Sequence, residues 1–174
     1  MLRSRTPLTA LSIAALAGLL AGCGGSSGAD TAAGPAAERF TASLSGSQVV
    51  PATTSTSTGS ISFSAASDST LTFSLSVANM SGITQAHLHN AAAGANGTTL
   101  VWLLPVNGTS AQAPSVTLDG VISLGEISPG WVRGTPRLAM DSVKALMRAG
   151  RLYVDVHSST FTAGELRGQV ARQP

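Results

Sequence analysis

From Phe40 onward the chain alternates apolar residues with small polar ones at a period of two. Serine, threonine and other small residues separate the apolar positions. Because successive side chains of a β-strand point to opposite faces of a sheet, the alternation predicts strands with one buried and one wet face. The apolar positions of the first three segments are Phe40, Ala42 and Leu44, then Ile61, Phe63 and Ala65, then Leu71, Phe73, Leu75 and Val77.

Five further strand-like segments and one helical segment follow. The strand-like segments cover residues 83–89, 99–104, 116–122, 151–157 and 165–171. Asn96-Gly97 and Asn107-Gly108 are turn dipeptides on either side of the second segment. A short α-helix is expected near residues 141–149, from Asp141 as its N-cap to Gly150 as its C-terminal stop. About eight strands with one short helix predict an all-β fold, an antiparallel β-sandwich or barrel.

The N-terminal region differs from the rest of the chain. Arg3 and Arg5 precede an apolar run that ends in Leu20-Ala21-Gly22-Cys23 and is too short to span a bilayer. It resembles the lipobox of bacterial lipoproteins, in which cleavage occurs just before a cysteine that receives lipid. Cys23 is the only cysteine, so it has no disulfide partner. We therefore expect residues 1–22 to be a lipoprotein signal peptide and Cys23 to be lipidated.

Residues 23–38 are rich in Gly, Ser and Ala and predict a flexible linker between the lipid and one folded domain. Lipid on Cys23 would anchor the protein to a membrane of the cell envelope. The resemblance implies the outer membrane if the organism is Gram-negative, because Gly24 rather than Asp follows the cysteine. Loss of Arg3 and Arg5 with the signal would leave eight basic and eight acidic residues. No excess of positive charge then supports nucleic-acid binding.

All three histidines lie in two strand-like segments, Gln85-Ala-His-Leu-His89 and Tyr153-Val-Asp-Val-His157. Residues two apart on a strand share a face, so His87 and His89 project together, as do Asp155 and His157. If the two strands are neighbours, one face carries three imidazoles and a carboxylate. Zinc and copper sites use such ligands, and these four residues are therefore candidate metal ligands.

Glu165, Arg167 and Gln169 alternate with apolar residues in the same way and are expected on the same polar face. They could serve as a second shell around a metal. The same residues could instead form a buried polar network that holds the strands in register, with Glu165 pairing with Arg167 or accepting from an imidazole. Binding of an organic or peptide ligand is a third alternative.

Four motifs follow one another along the chain: Phe40-Thr-Ala-Ser-Leu-Ser-Gly-Ser-Gln48 with Val50-Pro51, Ala86-His-Leu-His89 with Gly94-Ala-Asn-Gly97, Tyr153-Val-Asp-Val-His157, and Gly164-Glu-Leu-Arg-Gly-Gln169. In this order they resemble the CHRD domain, a module of animal chordins and of many bacterial secreted proteins. The resemblance covers about residues 39–171 and implies a β-barrel or sandwich. Val49 stands where that family often has Glu, and Asp155 stands where it often has Asn.

We expect a lipid-anchored, non-catalytic module of the cell envelope that binds or adheres to a protein or other extracellular ligand. Ser158 and Ser159 adjoin His157 but cannot face it as a nucleophile must, and the sequence has no Gly-x-Ser-x-Gly elbow. The alternative is a zinc- or copper-binding domain. A redox enzyme like superoxide dismutase, which also has a His-x-His strand, is less favoured because three histidines are too few for its two metals.

Overall fold

A computed structural model describes residues 37–65, 67–105 and 117–174, and antiparallel strands dominate them. These strands confirm the all-β class. The other regular elements of the described residues are one helix, α1 (Met140–Arg148), and two single 3₁₀ turns. The strands are β1 (Glu38–Ser45), β2 (Thr58–Ala65), β3 (Leu71–Ser81), β4 (Ile83–Asn90), β5 (Thr98–Leu104), β6 (Thr117–Ile127), β7 (Leu152–Ser158), β8 (Leu166–Gln169) and β9 (Ala171–Arg172).

The strands form one sheet in the order β5-β4-β7-β8-β1-β2-β3-β6, and β9 also pairs with β1. The two outermost strands, β5 and β6, approach each other. There the Ser123 hydroxyl of β6 donates a hydrogen bond of 2.6 Å to the Leu103 carbonyl of β5. The sheet is therefore nearly closed and resembles a barrel. This order makes β4 a direct neighbour of β7, the arrangement on which the predicted histidine face depends.

The inner face of the sheet holds the apolar residues that the alternation predicts. In β3, buried residues alternate with more exposed ones from Leu71 to Val77. The three strands β1, β2 and β3 pair so that Phe40 lies opposite Phe63, which in turn lies opposite Phe73. Burying such a side chain contributes about 1.5–3 kcal/mol. The inner face is therefore the main source of stability for strands whose other face is rich in Ser and Thr.

Helix α1 begins one residue earlier than predicted. Asp141 lies in its first turn, and the N-cap is Ala139, which makes no side-chain cap. The C-terminal stop at Gly150 is as predicted: its φ of 61° suits glycine, and its amide donates to the Met147 carbonyl. The Arg151 amide bonds to the Leu146 carbonyl and completes a Schellman ending. The Asp141 carboxylate pairs with Lys144 at 3.0 Å instead of capping the helix.

Two predicted strands differ from the structure by more than one residue at an end. The segment expected to end at residue 122 continues in β6 to Ile127. Register shifts opposite β3 interrupt the alternation there, so the period of two did not predict the extension. The segment expected at 165–171 is divided into β8 and β9. Cys23, the signal peptide, most of the linker and Asn107-Gly108 lie outside the described residues. Within the described part, no helix is long and apolar enough to cross a membrane.

Candidate metal centre

The antiparallel pairing of β4 with β7 brings the three histidines together. His87 lies opposite Asp155, and His89 lies opposite Tyr153. Since side chains alternate along each strand, this register places His87, His89, Asp155 and His157 on one face. Three of the four are buried and His157 is half-buried. The condition set by the sequence, that the two strands be neighbours, is met.

Asp155 lies at the middle of the group, which we call the histidine cluster (His87, His89, Asp155 and His157). One carboxylate oxygen, Oδ1, is 3.2 Å from Nδ1 of His87. The other, Oδ2, is 3.1 Å from Nε2 of His89 and 3.2 Å from Nε2 of His157. The four candidate ligand atoms lie within 4.8 Å of one another. Their closeness is what a single shared cation requires.

Backbone carbonyls fix the orientation of two of the rings. Nδ1 of His89 lies 3.0 Å from the Gly97 carbonyl oxygen, and Nδ1 of His157 lies 2.9 Å from that of Thr162. A carbonyl oxygen only accepts, so Nδ1 carries the hydrogen in both rings. In a neutral imidazole Nε2 is then an acceptor. Both Nε2 atoms, which carry a lone pair in the neutral rings, therefore lie on the side of Asp155, 3.1 and 3.2 Å from its Oδ2.

For His89 this arrangement places an acceptor beside an acceptor unless a proton or a metal ion lies between them, whereas Nε2 of His157 also lies 3.2 Å from Nδ1 of His87, which can donate to it. Within the described residues, Nε2 of His89 is buried without a hydrogen-bond partner, although it is 3.1 Å from Asp155. Nε2 of His87 is also buried without one. Buried polar atoms without partners are uncommon and costly. A proton or a metal ion would satisfy the lone pairs of His89 and His157.

Electrostatics favour an ionised carboxylate at the centre. Burial by itself opposes ionisation of Asp155, but its contacts with His157, His87 and His89 hold its pKa well below the ordinary value. Burial likewise opposes protonation of His157, yet the Asp155 carboxylate and the Thr162 carbonyl raise the pKa of that imidazole. The site therefore attracts positive charge, whether a proton on His157 or a metal ion.

Aromatic rings enclose the histidine cluster. Tyr153 stacks on His89 with ring centroids 4.8 Å apart and planes 6° from parallel. Trp102 meets the edge of His87 at 4.7 Å. Tyr153 lies two residues before Asp155 and so shares its face, but the sequence indicates no role for it. The sequence also does not reveal Gly97 and Thr162 as partners of the histidines, because they act through backbone carbonyls.

The three other polar residues of the face have separate positions. The Glu165 carboxylate accepts from Ser55 at 2.7 Å and does not pair with Arg167 or an imidazole, contrary to the predicted network. Gln169 donates to the carbonyls of Ala91 and Gly150, away from the histidine cluster. Arg167 lies nearest, with its guanidinium 3.5 Å above the Tyr153 ring. Of the three, only Arg167 borders the site.

A cavity of about 210 Å³ lies beside the histidine cluster. Three members of the cluster line it: His89, Asp155 and His157. Arg167 and Tyr153 form another part of its wall. The loops 46–57, 91–97 and 159–165 contribute the rest, including Val49, Asn96 and Gly164. The predicted polar face is therefore a second, loop-covered interior with an opening beside the candidate ligands.

Comparison with known proteins identifies one family. The sequence model of the CHRD domain matches residues 40–170, nearly the whole described part of the chain. The match agrees with the resemblance of the motifs around both histidine segments. No curated protein and no solved structure matches.

Proposed function

We propose that this protein, which belongs to the CHRD domain family, binds one zinc or copper ion through His87, His89, Asp155 and His157. The main support is the orientation of two imidazoles. Backbone carbonyls hold their Nδ1–H groups, so that both Nε2 atoms lie within 3.2 Å of one oxygen of a buried carboxylate. Metal-binding histidines characteristically donate their other ring N–H to a carbonyl or carboxylate in this way.

The donor set suits these metals. Imidazole nitrogen and carboxylate oxygen bind Zn²⁺ at about 2.0–2.2 Å, and imidazole also suits copper. Asp155 needs no deprotonation before binding, because its pKa is already low. A bound divalent ion would balance the carboxylate and satisfy Nε2 of His89, which otherwise lacks a partner within the described residues. A proton on His157 satisfies its own contact with Asp155 but leaves His89 unsatisfied.

The metal proposal is tested by elemental analysis of protein expressed from the full coding sequence and purified without a polyhistidine tag. We expect about one equivalent of zinc or copper per chain, because a site whose metal binding is coupled to folding holds its ion tightly. The double variant His87→Ala, His89→Ala should lose it. Glu165→Gln is the matched control, because this buried carboxylate lies on the same face but bonds to Ser55. Absence of metal from the wild type, with a lower Tm for the double variant, would instead support a polar network.

We also propose that the domain is a non-catalytic module tethered to the cell envelope. The support is the sequence Leu20-Ala21-Gly22-Cys23 after a short apolar run. Lipid on Cys23 would hold the metal-binding domain near a membrane surface, where a protein or another extracellular ligand would be its partner. Cys23→Ala should release the protein from membranes or block its maturation. Recovery of fully processed Cys23→Ala protein in the membrane fraction would contradict the lipid anchor and would not bear on the metal proposal.

A further inference from the structure

We infer that the cavity beside the histidine cluster binds a small anion, which coordinates the metal on the side that faces the cavity. This inference rests on the proposed metal site. It concerns the cavity of about 210 Å³ that opens on the cluster. The metal proposal rests on the orientation of the imidazoles, whereas the anion proposal rests on the cavity and on the buried Arg167 in its wall.

The four candidate ligands approach from one side. They come from a single face of two adjacent strands, β4 and β7. His89, Asp155 and His157 line the cavity, and His87 lies behind them against Trp102. The opposite side of a bound ion would therefore face the cavity and the loops that cover it. Zinc sites that keep a position for an exogenous ligand have this one-sided arrangement, whereas closed structural sites are surrounded by protein ligands.

Arg167 supplies a positive charge to the cavity wall. It is 3% exposed, and Asp155, which lies opposite it on β7, contacts the three histidines and forms no ion pair with it. Its guanidinium instead donates to the Asn96 side chain at 3.0 Å and the Ala95 carbonyl at 2.7 Å, and stacks on Tyr153. These partners fix its position but carry no negative charge. A buried charge without a counter-charge is costly, and an anion in the adjoining cavity would reduce that cost.

The charges around the cavity favour an anion. A divalent metal bound by three neutral imidazoles and the Asp155 carboxylate keeps one net positive charge, and Arg167 adds a second. Among the described residues, Asp155 is the only acidic one in the cavity wall. The remaining wall is formed by small neutral residues such as Val49 and Ala163. The volume is below the roughly 300–1,000 Å³ of pockets for drug-sized ligands, so the ligand is a small inorganic anion or a short carboxylate.

Azide titration of the copper-loaded full chain tests the inference. Azide that coordinates Cu²⁺ produces a charge-transfer absorption band, so direct coordination can be distinguished from binding elsewhere. We expect a saturable band in the wild type and about tenfold weaker azide binding in Arg167→Gln, because a nearby positive charge is removed. Arg151→Gln is the matched control. Arg151 is exposed and does not line the cavity, so this variant loses the same charge but should bind azide like the wild type.

A second pair of variants keeps the test decisive if Arg167→Gln does not fold. Val49 lines the cavity and is half-buried. Val49→Glu places a competing carboxylate there, whereas Val49→Gln adds a side chain of nearly equal size without the charge. We expect azide affinity to fall by about tenfold more in the Glu variant than in the Gln variant. Bound copper without an azide band, or equal azide affinity in both variants, overturns the anion site and leaves the metal site standing. Failure of the wild type to bind metal overturns both.

Discussion

The Nδ1–H group of His89 donates to the Gly97 carbonyl at 3.0 Å, and this bond directs the opposite nitrogen of the ring toward Asp155. Gly97 belongs to the loop after β4, so a loop backbone sets the orientation of a strand side chain. The Gly97 amide in turn donates to the Tyr153 hydroxyl at 3.3 Å, and Tyr153 stacks on His89. Ring, loop and stacking partner thus hold one another in position.

Gly97→Ala is expected to weaken metal binding by about 10–100-fold, the usual effect of losing a group that orients a ligand. A Cβ atom at this position would collide with the Asn90 carbonyl and displace the loop backbone. Gly168→Ala is the control, since its Cβ would collide with the Ser43 carbonyl on β1, away from the ligands. Competition with a chromophoric chelator measures the affinity. Equal loss in both variants would mean that general destabilisation, not the Gly97 carbonyl, is responsible.

Asp155→Asn should lower metal affinity by more than about tenfold, because a ligand matters at least as much as a group that orients one. The apoprotein should respond differently. The new amide can donate to Nε2 of His89 or His157, where the carboxylate offers only acceptors. At pH 8 without metal, we expect the Tm of the variant to equal or exceed that of the wild type. A clear fall in this Tm would mean that the carboxylate serves a metal-free network.

The stability of the chelator-treated protein should fall as pH rises from 6 to 8.5. The pKa of His157 is raised above its ordinary value of 6.5. Protonation of its folded form therefore contributes stability that is complete below pH 6.5 and is lost as pH rises through the higher folded value. Asp155 acts in the opposite direction. Because its folded pKa is lowered, its ionised form contributes stability that is complete above the ordinary pKa of 3.8 and is lost as the pH falls through the lower folded value. The groups facing His157 are Asp155 and His87.

The stabilisation by saturating zinc should have the opposite pH dependence, because metal and proton compete for Nε2 of His157. The increase in Tm on adding zinc should therefore be larger at pH 8.5 than at pH 6. Differential scanning fluorimetry measures both series. A zinc-dependent increase that is independent of pH would exclude His157 as a ligand.

Trp102 should report copper binding. Its ring lies 4.7 Å from that of His87, whereas Trp131 packs near Gly125 of β6. Paramagnetic Cu²⁺ quenches nearby indole fluorescence. In Trp131→Phe, whose remaining tryptophan is Trp102, one equivalent of copper should quench most of the emission. In Trp102→Phe the quenching should be weak. Equal quenching in the two variants would mean that copper binds away from the histidine cluster.

The alternation of side chains was sufficient to predict much of this molecule. It located β1 to β5 and placed His87 with His89 and Asp155 with His157 on common faces. It could not establish that β4 and β7 are neighbours, because pairing depends on contacts between distant segments. The extension of β6 was hidden by register shifts that break the period of two.

The polar surroundings of the site were less predictable than the ligands. Sequence position suggested Arg167 or an imidazole as the partner of Glu165, yet its carboxylate bonds to Ser55 from a loop 110 residues away. Loop conformation also decides which carbonyls meet His89 and His157. The acceptors are backbone carbonyls, which every residue has, so no side-chain pattern identifies Gly97 and Thr162 as partners of the histidines.

The most direct test of the account is X-ray absorption spectroscopy on metal-loaded, untagged protein. We predict a first shell of nitrogen and oxygen atoms at about 2.0–2.2 Å from zinc, without sulfur, and outer-shell scattering from three imidazoles. The imidazole scattering should fall when His89 is replaced by alanine. A shell of oxygen atoms without imidazole scattering, or a spectrum that the His89→Ala substitution leaves unchanged, would contradict the proposed site.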